Sequence, residues 1–277
     1  MYNKYFTRTV KPTITASRQE AGAFSDGDLL FDWTAIKMPK GANKLTGVTA
    51  LIRKTNGTTA NEQGFFLLYA KTINNTAPSS LGTINATVDG TGYYNNIIGK
   101  SVFLAKDYTG NKIDNMLVGS LNAGGADSDI PNIVLQGEAE SADVSSDYIY
   151  VAGIAEGASD FSTNAETDAA VDVSGLSVPT ITTLDGTACN VCFAVGDMLH
   201  AQDDIILGEV ASLDANNITF KVDGSITRHA GGETLHTNPA NFAAWQVQNG
   251  AGAAGDLADN DEIYNIHPMT FIFSFER

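Results

Sequence analysis

The chain has 277 residues, with 16 basic and 32 acidic side chains, a net charge of −16 and a pI of about 4.4. This excess of carboxylates disfavours direct binding to nucleic-acid phosphates or to an anionic membrane, because both depend on Lys and Arg. Hydrophobic residues make up 43% of the chain, which excludes a largely disordered protein.

Short apolar segments bounded by Gly, Asn, Asp or Ser recur along the chain and predict β-strands. In chain order they are LLFDW (29–33), KLTGVTALIR (44–53), GFFLLYAKT (64–72), SVFLAK (101–106), NIVLQG (132–137) and DYIYVAGIA (147–155). Their polar turns favour a sandwich or a barrel. The best helix candidate is NAETDAAVDVSG (164–175), with Gly175 as its terminator.

The composition changes near VPTITTLDGT (178–187), where a domain boundary is expected. The predicted fold class is all-β. We expect an N-terminal, jelly-roll-like β-sandwich with exposed loops over residues 1–180 and a small β-barrel or β-sandwich module over 181–260. Residues 261–277 are expected to form an apolar C-terminal strand that returns to the first domain, which would make the small module an insertion.

The segment FAVGDMLHAQDDIILGEVASLDANNITFKVDG (193–224) predicts a strand, a hairpin loop at DANN (214–217) and a return strand. Simple alternation divides the first strand into two faces. One face would hold Ile206, Gly208, Val210 and Ser212, and the other Ile205, Leu207, Glu209, Ala211 and Leu213. Gly208 is expected at a bulge or a close backbone approach. Gly-Asp pairs at 27–28, 196–197 and 255–256 each precede apolar residues, as a turn that begins a strand does.

Four fragments of the sequence resemble functional motifs, but none predicts a catalytic or cofactor-binding residue. IIGKSV (97–102) ends like a phosphate loop, but Tyr94 stands where the first Gly is required and the segment is typical of a strand. GTGYYN (90–95) has Asn95 in place of the third Gly of a dinucleotide fingerprint. A loop or turn explains both fragments better than a nucleotide site.

The remaining fragments concern metals and histidines. CNVC (189–192) has redox or zinc spacing but lacks further paired ligands, so we expect buried free cysteines that face opposite sides of a strand. The acidic run GDLADNDE (255–262) lacks EF-hand spacing, and calcium binding there stays open beside a solvated loop. His200, His229, His236 and His267 form no paired motif. No metal site and no cofactor are therefore predicted.

Three stretches of the sequence stand out: FAVGDML with IILGEVASLDANNITFKVDG, GDLLFDWTAIKMPKGANKLTGVTALIR with FFLLYAKT, and the closing DEIYNIHPMTFIFSFER. They resemble β-rich structural proteins of tailed-phage virions, in particular cyanophage-like ones. Together they cover about half of the chain. The resemblance implies a non-enzymatic virion protein, foremost a capsid decoration (cement) protein that stabilises the head. Its implied partners are the major capsid protein or other virion proteins and further copies of itself, with a trimer as one form.

Two alternatives remain open. A neck, tail or baseplate component belongs to the same class, whereas a carbohydrate-binding β-module or a glycoside hydrolase belongs to another. The latter calls for an aromatic platform and a convergent carboxylate pair. No signal peptide is recognised at the N-terminus, so synthesis in the host cytoplasm and assembly into the virion are expected, with no direct contact to nucleic acid or membrane.

The termini supply the predicted interface residues. Aromatic and basic side chains in an acidic chain suit an interface anchor, and apolar strand edges invite pairing. The candidates are Tyr2, Tyr5, Phe6 and Arg8 of the N-terminal arm and Phe271, Phe273 and Phe275 of the C-terminal strand. The competing interpretation of the arm is an edge strand of the chain's own sheet.

Overall fold

A computed structural model describes most of the chain, with thirteen segments placed. These segments are 4–53, 63–88, 95–108, 116–122, 133–137, 147–163, 165–166, 171–172, 180–182, 188–201, 205–221, 256–257 and 262–277.

The described residues form sixteen strands and very little helix, so the all-β prediction is confirmed. The strands up to residue 156 are β1 Tyr5–Val10, β2 Leu29–Lys37, β3 Asn43–Arg53, β4 Gly64–Lys71, β5 Ile97–Phe103, β6 Met116–Asn122, β7 Ile133–Leu135 and β8 Tyr148–Glu156. The later strands are β9 Val171–Asp172, β10 Thr180–Thr182, β11 Met198–Ala201, β12 Ile205–Leu213, β13 Asn217–Phe220, β14 Asp256–Leu257, β15 Ile263–Asn265 and β16 Met269–Glu276. The helical elements are α1 Ala16–Glu20, a 3₁₀ turn Ala105–Asp107 and α2 Cys189–Cys192.

Two antiparallel sheets contain the first eight strands together with the last one. One sheet has the order β1-β16-β3-β6, with β7 also paired to β3, and the other has the order β2-β8-β4-β5. The C-terminal strand β16 is central, because β1 pairs with one of its edges and β3 with the other. Residues 157–268 thus lie in the chain between two strands of this first unit.

Alternating side chains on β16 join the two sheets through one hydrophobic core. Phe271, Phe273 and Phe275 point inward and alternate with half-buried Ile272, Ser274 and Glu276, as the period of two in a strand requires. The Phe271 ring lies 5.5 Å from that of Phe31 on the opposite sheet. The Phe273 ring lies 6.1 Å from that of Tyr69, edge to face. Aromatic burial of this kind is a major source of core stability.

A second sheet system follows within residues 157–268. Its five strands have the order β10-β13-β12-β11-β15 and cover a separate core that includes Leu207, Val210, Ile218, Phe220 and Ile263. Strands β9 and β14 form a small ladder of their own. Residues 261–277 therefore contain two strands rather than one, since β15 pairs with β11 in this sheet and β16 lies in the first unit.

The predicted hairpin is present, but the predicted faces of its first strand are wrong. The register shifts between Leu199 and His200 of β11, whose partners on β12 are Gly208 and Ile206, and again between Val210 and Ser212. Each shift adds a residue, so Leu207 and Val210 are both buried and Leu213 packs against the same core. Gly208 has a φ of +120°, as expected for a bulge glycine.

The Gly-Asp pair at 27–28 closes a turn that leads into β2. The Ser25 N–H donates to Asp28 Oδ2 at 2.8 Å, and the Asp28 N–H donates to the Ser25 carbonyl at 3.0 Å. Gly27 has a φ of +85°. Gly27 N–H donates to the Ala155 carbonyl on β8, while Ala155 N–H donates to the Asp28 carbonyl. The turn is thus attached to the neighbouring strand where β2 begins.

The pair at 196–197 repeats this hydrogen-bond set in the second sheet. The Ala194 N–H donates to Asp197 Oδ2 at 2.8 Å, and the Asp197 N–H donates to the Ala194 carbonyl at 3.0 Å. Gly196 and Asp197 exchange backbone bonds with Val210 on β12. Strands β2 and β11 therefore begin with the same type of hydrogen-bonded turn.

Two local predictions are corrected. Val171–Asp172 is a strand, so the helix expected over 164–175 is wrong at these residues, and Gly175 lies outside the described part. CNVC forms the helical turn α2 instead of a strand, and both of its cysteines are buried. Among the described residues, no helix is long and apolar enough to cross a membrane.

Candidate interaction surface

The N-terminal arm forms an edge strand of the chain's own first sheet. β1 pairs with β16 from Tyr5 opposite Glu276 to Val10 opposite Phe271. The Arg277 N–H donates to the Lys4 carbonyl, and hydrogen-bonded pairs alternate along an antiparallel ladder. The backbone groups of Tyr5, Thr7 and Thr9 therefore point away from β16. Whether this edge also contacts a partner stays a prediction.

The side chains of the arm divide between the surface and the core. Tyr5 is 62% exposed, and the Lys4 ammonium lies 5.3 Å from the centre of its ring. Phe6 is half-buried and stacks on Phe275 with ring centres 5.1 Å apart. The Arg8 guanidinium lies 5.1 Å from the Phe6 ring, a cation–π distance. Tyr5 is thus the exposed aromatic of the arm, and Tyr2 lies outside the described residues.

The three phenylalanines predicted for the interface are core residues. Phe271 and Phe273 are fully buried, and Phe275 is 1% exposed. Alternation identifies which residues of β16 share a face but not whether that face meets solvent or another sheet. Since both edges of β16 are paired as well, these side chains and this strand serve the first unit's own core and sheet.

A group of cations surrounds the arm where β1 begins, β2 and β16 end and β3 begins. We call it the basic corner; its members are Lys4, Arg8, Lys37, Lys40, Lys44 and Arg277. Arg8 Nε donates to the Lys37 carbonyl at 2.7 Å. Arg277 Nη2 donates to the Lys40 carbonyl at 3.3 Å. These bonds bring Arg8 of β1 to the end of β2 and Arg277 to the residues that follow β2.

Within the basic corner, the carboxylate of Glu276 forms an ion pair with Lys4. Its Oε1 lies 2.6 Å from Lys4 Nζ. The hydrogen bond from Lys4, with the nearby charges of Lys4 and Lys44, lowers the pKa of Glu276. The same bond to Glu276 raises the pKa of Lys4. The corner retains more cations than this one carboxylate can balance.

The two cysteines occupy a buried, apolar setting. Cys192 Sγ donates to the Thr163 carbonyl at 3.5 Å, and neither cysteine is in a disulfide. Burial, followed by the neighbouring Cys189, raises the pKa of Cys192 to about 12. A neutral thiol is a poor nucleophile and a poor metal ligand. This setting suits a packing role.

The other motif fragments occupy structural positions where they are described. Gly99, Lys100 and Ser101 lie within β5, and Ser101 accepts a hydrogen bond from buried Tyr69, so this segment is a strand and not a phosphate loop. Of GTGYYN only Asn95 is described, in a turn. Across the placed segments, no three His, Cys, Asp or Glu residues form a group that could hold a metal ion.

The acidic run and the histidines are only partly described. Of residues 255–262, Asp256 and Leu257 lie in β14, and Glu262 accepts bonds from the Thr163 N–H and the Tyr264 hydroxyl. Asp259 and Asp261 lie outside the described residues. His229 and His236 do so as well. His267 Nδ1 lies 3.0 Å from the Pro12 carbonyl.

Sequence reasoning missed the junction between the two units. Arg53 Nη2, at the end of β3, lies 2.6 Å from Asp197 Oδ2 in the second Gly-Asp turn. Gln19 Nε2 of α1 donates to the Ile14 and Asn265 carbonyls at 2.7 and 2.9 Å. The residues of the ion pair are 144 positions apart, and no local pattern connects them.

No protein-family model, no curated protein and no solved structure matches the chain.

Proposed function

We propose that the protein is a non-enzymatic structural protein of a tailed-phage virion, and specifically a capsid decoration protein. It binds the assembled head and acts by contact without turnover. Its partners are the major capsid protein, or other virion proteins, and further copies of itself. The proposal extends the sequence resemblance with an observation on strand order.

The strand order is the observation that carries the proposal. If the eight strands β1 to β6, β8 and β16 are numbered one to eight, the sheets have the orders 1-8-3-6 and 2-7-4-5. This is the order that two Greek keys produce in a jelly roll, an architecture common in viral capsid and lectin domains. We therefore interpret the first unit as a jelly roll with the second unit inserted before its last strand. The step from fold to function is an analogy.

The described surface supports binding through the N-terminal edge. β1 presents outward backbone groups, exposed Tyr5 and the cations of the basic corner at one corner of the first unit. Exposed edges are where neighbouring chains add, and an exposed aromatic beside cations is typical of an interface anchor. Of the seven residues proposed from sequence, Tyr5 and Arg8 lie at this surface and Phe6 packs beneath them. Tyr2 lies outside the described residues and stays a prediction.

The direct test is a binding assay with particles of the phage that carries this sequence. Purified protein should cosediment with assembled shells up to a fixed ratio and should not bind free coat subunits. Mass spectrometry of purified virions should detect the chain at high copy number. Detection at a few copies, only in purified tails, would favour the neck, tail or baseplate alternative.

A point variant tests the surface within the same assay. Tyr5→Ser should weaken shell binding about tenfold or more, because loss of a central aromatic anchor costs 1–2 kcal/mol or more. Val195→Ser is the matched control, since Val195 is 63% exposed and lies away from the first sheet, in the Gly-Asp turn before β11. Equal binding of the two variants would contradict the surface. A parent protein that binds polysaccharide and never binds shells would instead favour the carbohydrate-binding alternative.

A further inference from the structure

The net charge of the chain is concentrated in the inserted segment. Residues 157–268 contain 16 acidic and 2 basic side chains, whereas the rest of the chain contains 16 acidic and 14 basic ones. The first unit is therefore close to neutral, and the insertion carries nearly the whole negative charge. Such a separation creates a field that a compact, evenly charged protein lacks.

The basic corner lies at the opposite end of the first unit from the insertion. The insertion leaves the first unit after Glu156, the last residue of β8, and re-enters it before Met269, the first residue of β16. The basic corner surrounds Glu276, at the far end of β16. A strand rises about 3.4 Å per residue, so the eight residues of β16 separate the two ends by roughly 25 Å.

The cations of the corner are accessible. Lys4, Lys37, Lys40 and Arg277 are exposed, and Arg8 and Lys44 are half-buried. The described carboxylates beside them are Glu276 and, next to Met38, Asp147, whose backbone carbonyl accepts from the Met38 N–H. Segments 123–132 and 138–146, outside the described residues, add five carboxylates in sequence between strands of this unit. The test below separates internal neutralisation from binding.

We propose that the basic corner of one molecule docks on the acidic inserted unit of a second copy. Charge complementarity between two parts of the same chain identifies the occupant, because residues 157–268 contain 16 carboxylates against 2 cations in sequence. In the described part of this segment, the exposed or half-buried carboxylates include Asp160, Glu166, Glu209, Asp214 and Glu262, and Lys221 is the described cation. Complementary charge speeds association and fixes orientation, and it makes the contact sensitive to salt. The contact is head to tail.

A head-to-tail contact joins two different surfaces, so it generates a ring if the rotation closes and an open chain if it does not. A ring of three would be the trimer that the sequence resemblance implies as one form. The inference uses the same corner as the proposed shell-binding surface and rests on the proposed function, which counts further copies of the chain among the partners. It is tested on free protein without shells, so its failure and a failure of the shell-binding test are distinguishable.

Sedimentation velocity over a concentration series in 20 mM and 500 mM NaCl tests the proposal. The parent protein should associate at low salt and dissociate at high salt. The test variant is Lys37→Glu with Lys40→Glu, two exposed residues of the corner. The matched control is Lys11→Glu with Arg18→Glu, two exposed residues at the end of the first unit nearer the insertion. Each reversal adds two negative charges, so both double variants reach the same net charge of −20 from −16.

The test variant should raise the dissociation constant at low salt about tenfold or more relative to the control. Equal dissociation constants in the two double variants would overturn the proposal, because general repulsion would then explain both. A parent protein that stays monomeric at every concentration and salt would also overturn it. So would unchanged association in a test variant that melts earlier than the control, since the corner would then be neutralised within its own chain.

Discussion

Gly208 shows how a single residue sets the faces of a strand. Its φ of +120° is a conformation that side chains rarely adopt, and the bulge there turns Leu207 and Val210 toward the same core. Gly208→Val should lower the free energy of unfolding by about 2 kcal/mol or more through backbone strain. Ser212→Val, on the exposed part of β12, is the control and should be nearly neutral. Chemical denaturation measures both, and a neutral Gly208→Val would contradict the bulge.

A second prediction at the residue scale concerns the reactivity of the two cysteines. With a pKa of about 12, the Cys192 thiol is almost wholly protonated at pH 8, and Cys189 is buried beside it. A thiol reagent should therefore modify neither cysteine in the folded protein and both after unfolding. Ser212→Cys supplies an exposed thiol as the positive control. Rapid labelling of the parent protein at the rate of that control would show that the α2 pocket is open.

The Arg53–Asp197 ion pair is part of the junction between the two units, and its two residues have different roles. Asp197 Oδ2 accepts from both Arg53 Nη2 and the Ala194 N–H, so it serves the junction and the turn at once. Arg53→Met should cost about 1 kcal/mol of stability, and Asp197→Ala about 1 kcal/mol more. The double-mutant cycle should give a coupling of about 1 kcal/mol. Equal losses from the two single variants would indicate that the turn does not need Asp197.

The strands that sequence reasoning located share one property: a run of apolar residues with polar turns on both sides. β3, β4 and β8 are of this kind, and each lies near its predicted position. β6 is not predicted because MLVGSLN is short and mixes small or polar residues with apolar ones. The strand predicted at CNVC is wrong because the spacing of the two cysteines does not distinguish a helical turn from a strand, and tertiary context decides between them.

The candidate surface could be predicted only in part, because exposure depends on pairing across the chain. The aromatic alternation of the C-terminal strand was visible, but its burial follows from contacts with Phe31 and Tyr69 on another sheet. The basic corner combines residues from both termini and from residues 37–44, so no window of sequence contains it. Counting charges along the sequence shows that residues 157–268 are strongly acidic. Only the strand order shows that this acidic segment is inserted between two strands of the first unit.

At the scale of the whole molecule, salt should have two opposite effects on stability: it screens the repulsion between carboxylates and it weakens ion pairs. Repulsion among 16 carboxylates with 2 cations in residues 157–268 opposes folding, and salt screens it. Salt also weakens the Arg53–Asp197 pair, but that is one partly exposed contact worth about 1 kcal/mol. The repulsion involves many more charges, so the melting temperature should rise by a few degrees between 20 and 500 mM NaCl.

The variant Arg53→Met has lost the salt-sensitive ion pair, so its melting temperature should rise more with salt than that of the parent. Differential scanning calorimetry at a concentration where both proteins sediment as monomers measures the two shifts; a falling melting temperature would show that specific ion pairs outweigh the net repulsion.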